Sequence, residues 1–448
     1  MMCFAGSRSC LLSLTFIIIL ISYLIVSNNE DTQQKNPLWT RDFTIITLGS
    51  VVSMLGSTLA GFAMSLLVLD YTGSTFYYAM YQIMYFLPYV VMPVLSGPFL
   101  DRFSRRKTIY TLDFITSAFY LVCAAVVHFG KLNFGFLAIG TLIIGTIGSI
   151  YQVAYQSFYP LLITKGNFSK AYSVASTLET LTMVMVPFSA LIYNSIGITP
   201  IFLINTCTYL IAAIFETQIR QKEEYIEKRA SEELPGEASK GIKRFVTDFR
   251  EGIGYLKTER GLLFITIYFV FSQMTGGAGS SLSLPYFKGS FENGEYIYMI
   301  VWGAASLARA VGGILHYRFK IPVEHKYSIA LFVYIAISFL EGAYLFLPIP
   351  LMVVCTSLTG ILGVTSYNIR ISATQRYVPD EKKGRFNGAF NTLTMIGMLI
   401  GEFAAGVMSL KIPIRGIIVI FHSVCLVAAL IFIGGHRREV SGVYNTQD

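Results

Sequence analysis

The chain has 448 residues, 54% of them apolar and 13% charged, with a formal net charge of +8. A soluble domain carries about 25% charged residues, so an ordinary cytosolic enzyme, a disordered chain and a fibrous one are excluded. The positive charges lie between apolar blocks long enough to cross a bilayer, which assigns them to membrane orientation rather than to nucleic acid.

Residues 11–27, LLSLTFIIILISYLIVS, come first. They read as a signal-peptide core, a thirteenth helix, or the translation of a mis-assigned start whose true position is near Lys35. The segment 1–34 is expected to be an extra hydrophobic helix peripheral to the fold, or a start error. From residue 43 onward twelve apolar stretches follow, at roughly 43–69, 76–99, 108–129, 133–158, 171–195, 199–217, 261–286, 296–316, 327–347, 350–375, 386–409 and 414–434. At ~1.5 Å rise per residue each crosses ~30 Å of hydrocarbon. Backbone groups cannot stay unpaired in lipid, so the fold class is all-α, a polytopic membrane protein with twelve spans.

The segment 220–260 divides these spans six and six. The expected domains are a first six-helix bundle over 35–219, a linker over 220–260, a second bundle over 261–434 and a cytoplasmic tail over 435–448. Ile242, Phe245, Val246, Phe249, Ile253 and Leu256 recur at helical spacing, which predicts an amphipathic linker helix at the membrane surface. Alternate inter-span segments hold Lys35 and Arg41, the Arg102–Lys107 cluster, Lys165 and Lys170, Arg318 to Lys326, Arg376 to Arg385, and Arg437 with Arg438. The opposite loops hold Lys131, Lys288, Lys411 and Arg415. That bias places both ends of the twelve-helix unit in the cytoplasm.

The halves correspond at a shift of 215 residues, which sets Gly61 on Gly276, Gly97 on Gly312 and Thr177 on Thr392. Two six-helix repeats about an axis along the membrane normal are the plan of a rocking transporter. Six cysteines without a C-x-x-C spacing and five scattered histidines give no metal or redox pattern. No phosphate-binding G-x-x-x-x-G-K-[ST] loop occurs, so ATP is not the direct energy source. Neither a nucleophile with its base nor a pair of catalytic acids is recognisable, so an enzyme is not expected and no cofactor is called for.

The loop after the second span reads Gly97-Pro-Phe-Leu-Asp101-Arg102-Phe-Ser-Arg105-Arg106-Lys107. It resembles the G-x-x-x-D-R-x-x-R-[RK] signature of the major facilitator superfamily. Asp113 in the third span and the loop YVPDEKKGRFNGAF (377–390) make the chain similar to the macrolide-efflux-like and enterobactin-exporter-like branch. The resemblance implies a usually monomeric transporter of the bacterial inner membrane, exporting a bulky amphiphile against protons. It also implies a gate: Gly97 permits close helix approach, and Asp101, steadied by Arg105, meets the N-terminus of the eleventh helix. The sequence departs from drug–proton antiporters in two places. The fourth span carries no Arg, and the fifth reads Val186-Pro187-Phe188-Ser189-Ala190, keeping only the proline.

A charge at mid-bilayer costs ~2.5–3.5 kcal/mol and needs a reason. Five residues raise that question: Asp113, Glu179, Arg309, Arg370 and Glu402. In the fold implied by the resemblance, the fifth and eighth helices face each other across the halves. Glu179 and Arg309 lie at depths agreeing within ~3–5 Å, so they are expected to pair across the pathway, with a static pair inside one bundle as the alternative. Asp113 is expected to cap its helix or anchor Arg102 or Arg106. Arg370 is expected to snorkel to the interface. Glu402, among Gly397, Gly401 and Gly406, is a candidate for protons or a cationic substrate. Tyr85 within the Tyr78–Tyr89 stripe, Gln152 and Gln156, Gln273, and Asn391 with Asn387 are the candidate cavity residues.

The expected function is secondary active export of lipophilic or cationic small molecules by alternating access, with a proton gradient as the energy source. The partners are then the small-molecule substrate and the lipid bilayer. A lysophospholipid or siderophore carrier of the same fold is the alternative, and a non-transporting sensor a further one.

Overall fold

The computed structural model describes residues 37–100, 103–223, 238–318 and 321–446. The hydrophobic segment 1–34, Asp101 and Arg102 lie outside the described residues. All the long elements are α-helices. In chain order they are α1 (Arg41–Thr72), α2 (Thr75–Leu100), α3 (Arg105–His128), α4 (Phe134–Phe158), α5 (Phe168–Ile196) and α6 (Ile198–Glu216). The amphipathic α7 (Ala238–Thr258) follows. Then come α8 (Arg260–Ser290), α9 (Gly294–Arg318), α10 (Lys326–Ala343), α11 (Ile349–Tyr377), α12 (Asp380–Met408), α13 (Ile414–Ala428) and α14 (Arg437–Tyr444).

Ten of the described helices are long and apolar enough to cross a membrane. Helices α2 and α5, 26 and 29 residues long, stand where the second and fifth spans are expected. Hydroxyl residues inside the spans do not break them, because they return their protons to the preceding turn. Ser57 donates to the Ser53 carbonyl at 2.7 Å, and Thr116 donates to that of Leu112 at 2.8 Å. Gly197, at φ +74°, makes the tight turn between α5 and α6 that a β-carbon would resist.

The described residues fall into two compact units, and these are not the two six-helix halves. One lies within 1–64, 100–132 and 150–233, the other within 65–99, 133–149 and 234–448. In the first, α3 and α6 form the tightest pair. The Tyr120 ring meets Phe202 at 5.6 Å and Tyr209 at 6.2 Å, and Ser117 donates to the Thr206 carbonyl at 2.9 Å. Phe43, Ile46, Leu100, Phe158 and Leu162 form the apolar core near its basic loop.

In the second unit α8 and α12 are clasped by small residues. A methyl group at Gly397 would come within 2.6 Å of the Val270 carbonyl, and Gly277 and Gly401 lie against the carbonyls of Met398 and Met274. The far portions of the first-half helices join this unit: Gly406 of α12 abuts Ala79 of α2, and Lys288 bonds Asp70 of α1. Helix α7 uses part of its apolar side against protein. Leu256 is buried in the core, Gly252 lies on the Arg385 carbonyl and Ala389 of α12, and Arg385 bonds Asp248 and Glu251 at 3.5 and 3.0 Å. The tail folds back as α14, burying Val440, Val443 and Tyr444. The Tyr444 hydroxyl is 2.7 Å from that of Tyr334.

Candidate ion and substrate sites

The N-terminus of α3 is closed by Glu223, from the segment after α6. Its carboxylate accepts from the Ser104 hydroxyl and from the backbone N–H of Arg105 at 2.8 Å. An acid at a helix N-terminus satisfies the unpaired donors there and complements the helix dipole. Arg105 sends Nη1 to the Ser157 carbonyl of α4 at 3.1 Å, and Arg106 sends its own to the Ile219 carbonyl. The basic loop therefore ties α3, α4 and α6 together at one end. Asp101, the proposed partner of Arg105, is outside the described residues, and the side chains of Pro98 and Phe99 in α2 are likewise not described.

Asp113 corrects part of an expectation: it neither caps α3 nor holds Arg106, whose guanidinium goes to Ile219, while Arg102 lies outside the described residues. Instead it is 1% exposed and faces Glu216 of α6, itself 0% exposed, carboxyl to carboxyl. Apart from a proton shared between the two, no donor among the described residues reaches the four oxygens. The Tyr151 hydroxyl, also buried without a partner, lies within electrostatic reach of both. Gly49 of α1 makes the room: a β-carbon there would stand 3.3 Å from Glu216 Oε1. Two carboxylates this close repel strongly where the dielectric is low, so the arrangement is suited to taking up positive charge, a proton or a small cation.

The second unit holds a cavity of about 440 Å³ among α8 to α13. Gln273, Arg309 and Asn391, named from the sequence, all line it, and so do Arg370, Glu341 and His422. Arg309 stands near Glu341, as does the Thr359 hydroxyl, and His422 Nε2 is 3.8 Å from the same carboxylate. Gly363 leaves room for the Arg309 guanidinium, 3.4 Å from where its β-carbon would be. Arg309 thus has an acid near it inside its own bundle; the side chain of Glu179, its expected partner, is not among those described. Arg370 does not snorkel away from the core. Its guanidinium lies over the rings of Phe390, Phe269 and Tyr367 at 4.7, 5.2 and 5.4 Å.

Glu402 is fully buried between α12 and α8. Oε1 accepts from Ser280 at 3.2 Å, and Oε2 has no partner. Tyr85 is half-buried on α2, its ring 5.1 Å from Phe86 and 5.7 Å from Tyr89. Gln152 and Gln156 are exposed on α4 in the first unit. No cluster of three metal-ligating side chains occurs among the described residues.

Sequence reasoning missed Glu216, Tyr151, Glu341 and His422. Both acids lie within a turn or two of a span's end, where depth alone makes a charge look harmless. The usable signal was their number: an acid within an apolar span asks for a partner whatever its depth.

The sequence matches the profile of the Major Facilitator Superfamily over residues 46–401. It is 22% identical over 396 residues to macrolide efflux protein A of Streptococcus pyogenes, covering 85% of this chain and 93% of that one. To the uncharacterized MFS-type transporter YkuC of Bacillus subtilis (strain 168) it is 24% identical over 331 residues, 67% of this chain and 74% of the relative. Among solved structures, a bacterial homologue of the iron transporter ferroportin in an inward-facing state superposes with a TM-score of 0.61 at 15% identity, over 91% of this chain and 99% of that one. The nucleoside transporter NupG superposes with a TM-score of 0.59, also at 15% identity, over 87% and 98%. With the helical fold and these likenesses together, the chain belongs to the Major Facilitator Superfamily and is a membrane transporter, not an enzyme.

Proposed function

We propose that this chain is a secondary active transporter that exports lipophilic small molecules of the macrolide and drug type by alternating access, with protons moving inward. The observation that carries the reading is the Asp113–Glu216 pair, two buried carboxyls with no counter-charge bonded to them. A pair of this kind costs stability unless it is used, and exchanging a proton with the two sides of the membrane is a use that a transporter has. Glu402, buried with one free oxygen in the other unit, is a second candidate on the proton path. The similarity to macrolide efflux protein A supports the outward direction. The aromatic and amide walls of the cavity support an amphiphilic substrate.

The bias of Lys and Arg supports cytoplasmic ends and a bacterial inner-membrane location, for a chain that works as a monomer. The basic loop with Gly97, Asp101, Arg102 and Arg105 serves as the inner gate in this reading, and the capping of α3 by Glu223 supports a well-fixed latch there. A second reading, a carrier of lysophospholipid or siderophore, is favoured by the arginines in the cavity.

The test is erythromycin efflux from cells lacking their own pumps, with and without a protonophore. Export that collapses with the protonophore and falls at least about tenfold in Asp113→Asn supports the reading. Export indifferent to both removes proton coupling; no export at all removes the substrate class.

A further inference from the structure

The charges of the cavity do not balance. Arg309 has the carboxylate of Glu341 near it, and His422 flanks that same carboxylate. Arg370 is different. Among the described residues no carboxylate bonds it, and the groups around its guanidinium are the phenols of Tyr334, Tyr367 and Tyr444. It is also held in a definite attitude, over the rings of Phe390, Phe269 and Tyr367. Guanidinium N–H groups lie in the plane of the ion and can donate two parallel hydrogen bonds to one partner. Such a fork fits a carboxylate or phosphate with two parallel hydrogen bonds. Arg370 stands half-buried at the cavity wall, and ring contacts alone do not balance its charge. Among the described residues no acid completes its pairing, so an anion entering the cavity would find a cation to meet there.

We propose that this cavity binds amphiphiles through one anionic group, a carboxylate or phosphate held by Arg370, with the apolar body of the ligand against Phe269, Tyr367 and Phe390. The proposal rests on reading the chain as a transporter of lipophilic molecules, and it adds anionic amphiphiles to the substrates that reading names. Space for one fused ring system and its headgroup is available in 440 Å³. The Gln273 and Asn391 amides supply further hydrogen bonds at the wall.

The anion could belong to a free organic acid or to a lipid headgroup, and both are tested on the purified full-length protein in neutral detergent. Calorimetric titration compares 2-naphthoate with 2-naphthamide and 2-naphthylmethylammonium, three ligands of one shape and three charges. Lysophosphatidate is titrated separately and as a competitor. The acid is expected to bind about tenfold tighter than the amide, and the ammonium weakest. Arg370→Gln should bring acid and amide to parity, and Arg370→Lys should keep part of the preference because the charge survives without the fork. Glu341→Gln, which leaves Arg309 without its neighbouring acid, should tighten acid binding further, a gain that misfolding cannot imitate. Displacement of naphthoate by lysophosphatidate supports the proposal with a lipid as the source; naphthoate binding without displacement supports it with a free acid. Tighter binding of the ammonium, an acid preference unchanged in Arg370→Gln, or no binding of either anion overturns it. Acid binding through Arg370 in a protein that exports nothing would remove the export reading and leave this one standing.

Discussion

The two compact units treat buried charge in opposite ways. In the first, Asp113 and Glu216 are buried together, with no donor on their oxygens among the described residues beyond one another and with a glycine, Gly49, beside them. In the second, Glu341, Arg309, Arg370 and His422 stand at the wall of an open cavity, where water or a ligand can reach them. A crowded like-charge pair stores unfavourable energy that uptake of a cation releases. An open wall of mixed charge stores little and selects what enters. In the proposed function the first unit would supply coupling and the second recognition.

The contrast can be broken by measuring the sign of a charge deletion. Asp113→Asn combined with Glu216→Gln removes the mutual repulsion of the carboxyl pair, and should stabilise the protein by about 1 kcal/mol. Thermal unfolding of the detergent-solubilised protein reads this directly. A loss of stability would mean that the pair is already satisfied, and the comparison would fail on its first side. Glu341→Gln should act the other way, lowering stability by about 1–2 kcal/mol, because Arg309 then loses its neighbouring acid. Adding Arg309→Gln to that variant should return most of the loss. If the double variant is instead no better than the single one, the two side chains are not coupled.

The helices were legible because lipid leaves a backbone no other choice, and twelve apolar stretches say so plainly. Gln273, Arg309 and Asn391 were legible as cavity candidates for a related reason: polar groups inside apolar spans must face something other than lipid. Asp113 was legible as a buried charge but not as half of a pair. Its partner, Glu216, is the last residue of α6, and sequence depth does not reveal that the end of that helix is itself buried against α3. Glu341 and His422 failed for the same reason, since a single polar residue near a span's end has many bland explanations. The apolar stripe of α7 announced that something covers it, but a helix and a membrane surface are equally apolar, and only Gly252 lying on the Arg385 carbonyl decides for α12. The regrouping of α1, α2 and α4 between the two units left no trace in the sequence, because it depends on which faces meet.

That regrouping yields the smallest effect and the most specific one. Lys288, at the end of α8, bonds Asp70 near the end of α1, with the two side chains 26% and 44% exposed. An ion pair that wet adds only ~0–1 kcal/mol, so Asp70→Asn should barely move the unfolding temperature. Under the proposed alternating access, with this contact forming and breaking once per cycle, the consequence for transport is larger in proportion, because a population ratio responds to the same few tenths of a kcal/mol. Cysteines placed at Gly73 and Gly289, just beyond the pair, should cross-link less readily in the Asp70→Asn background, and the charge-reversed pair Asp70→Lys with Lys288→Asp should restore the yield. Cross-linking that ignores Asp70 altogether would show that the clasp of Gly406 on Ala79, not the ion pair, holds this end of the second unit together.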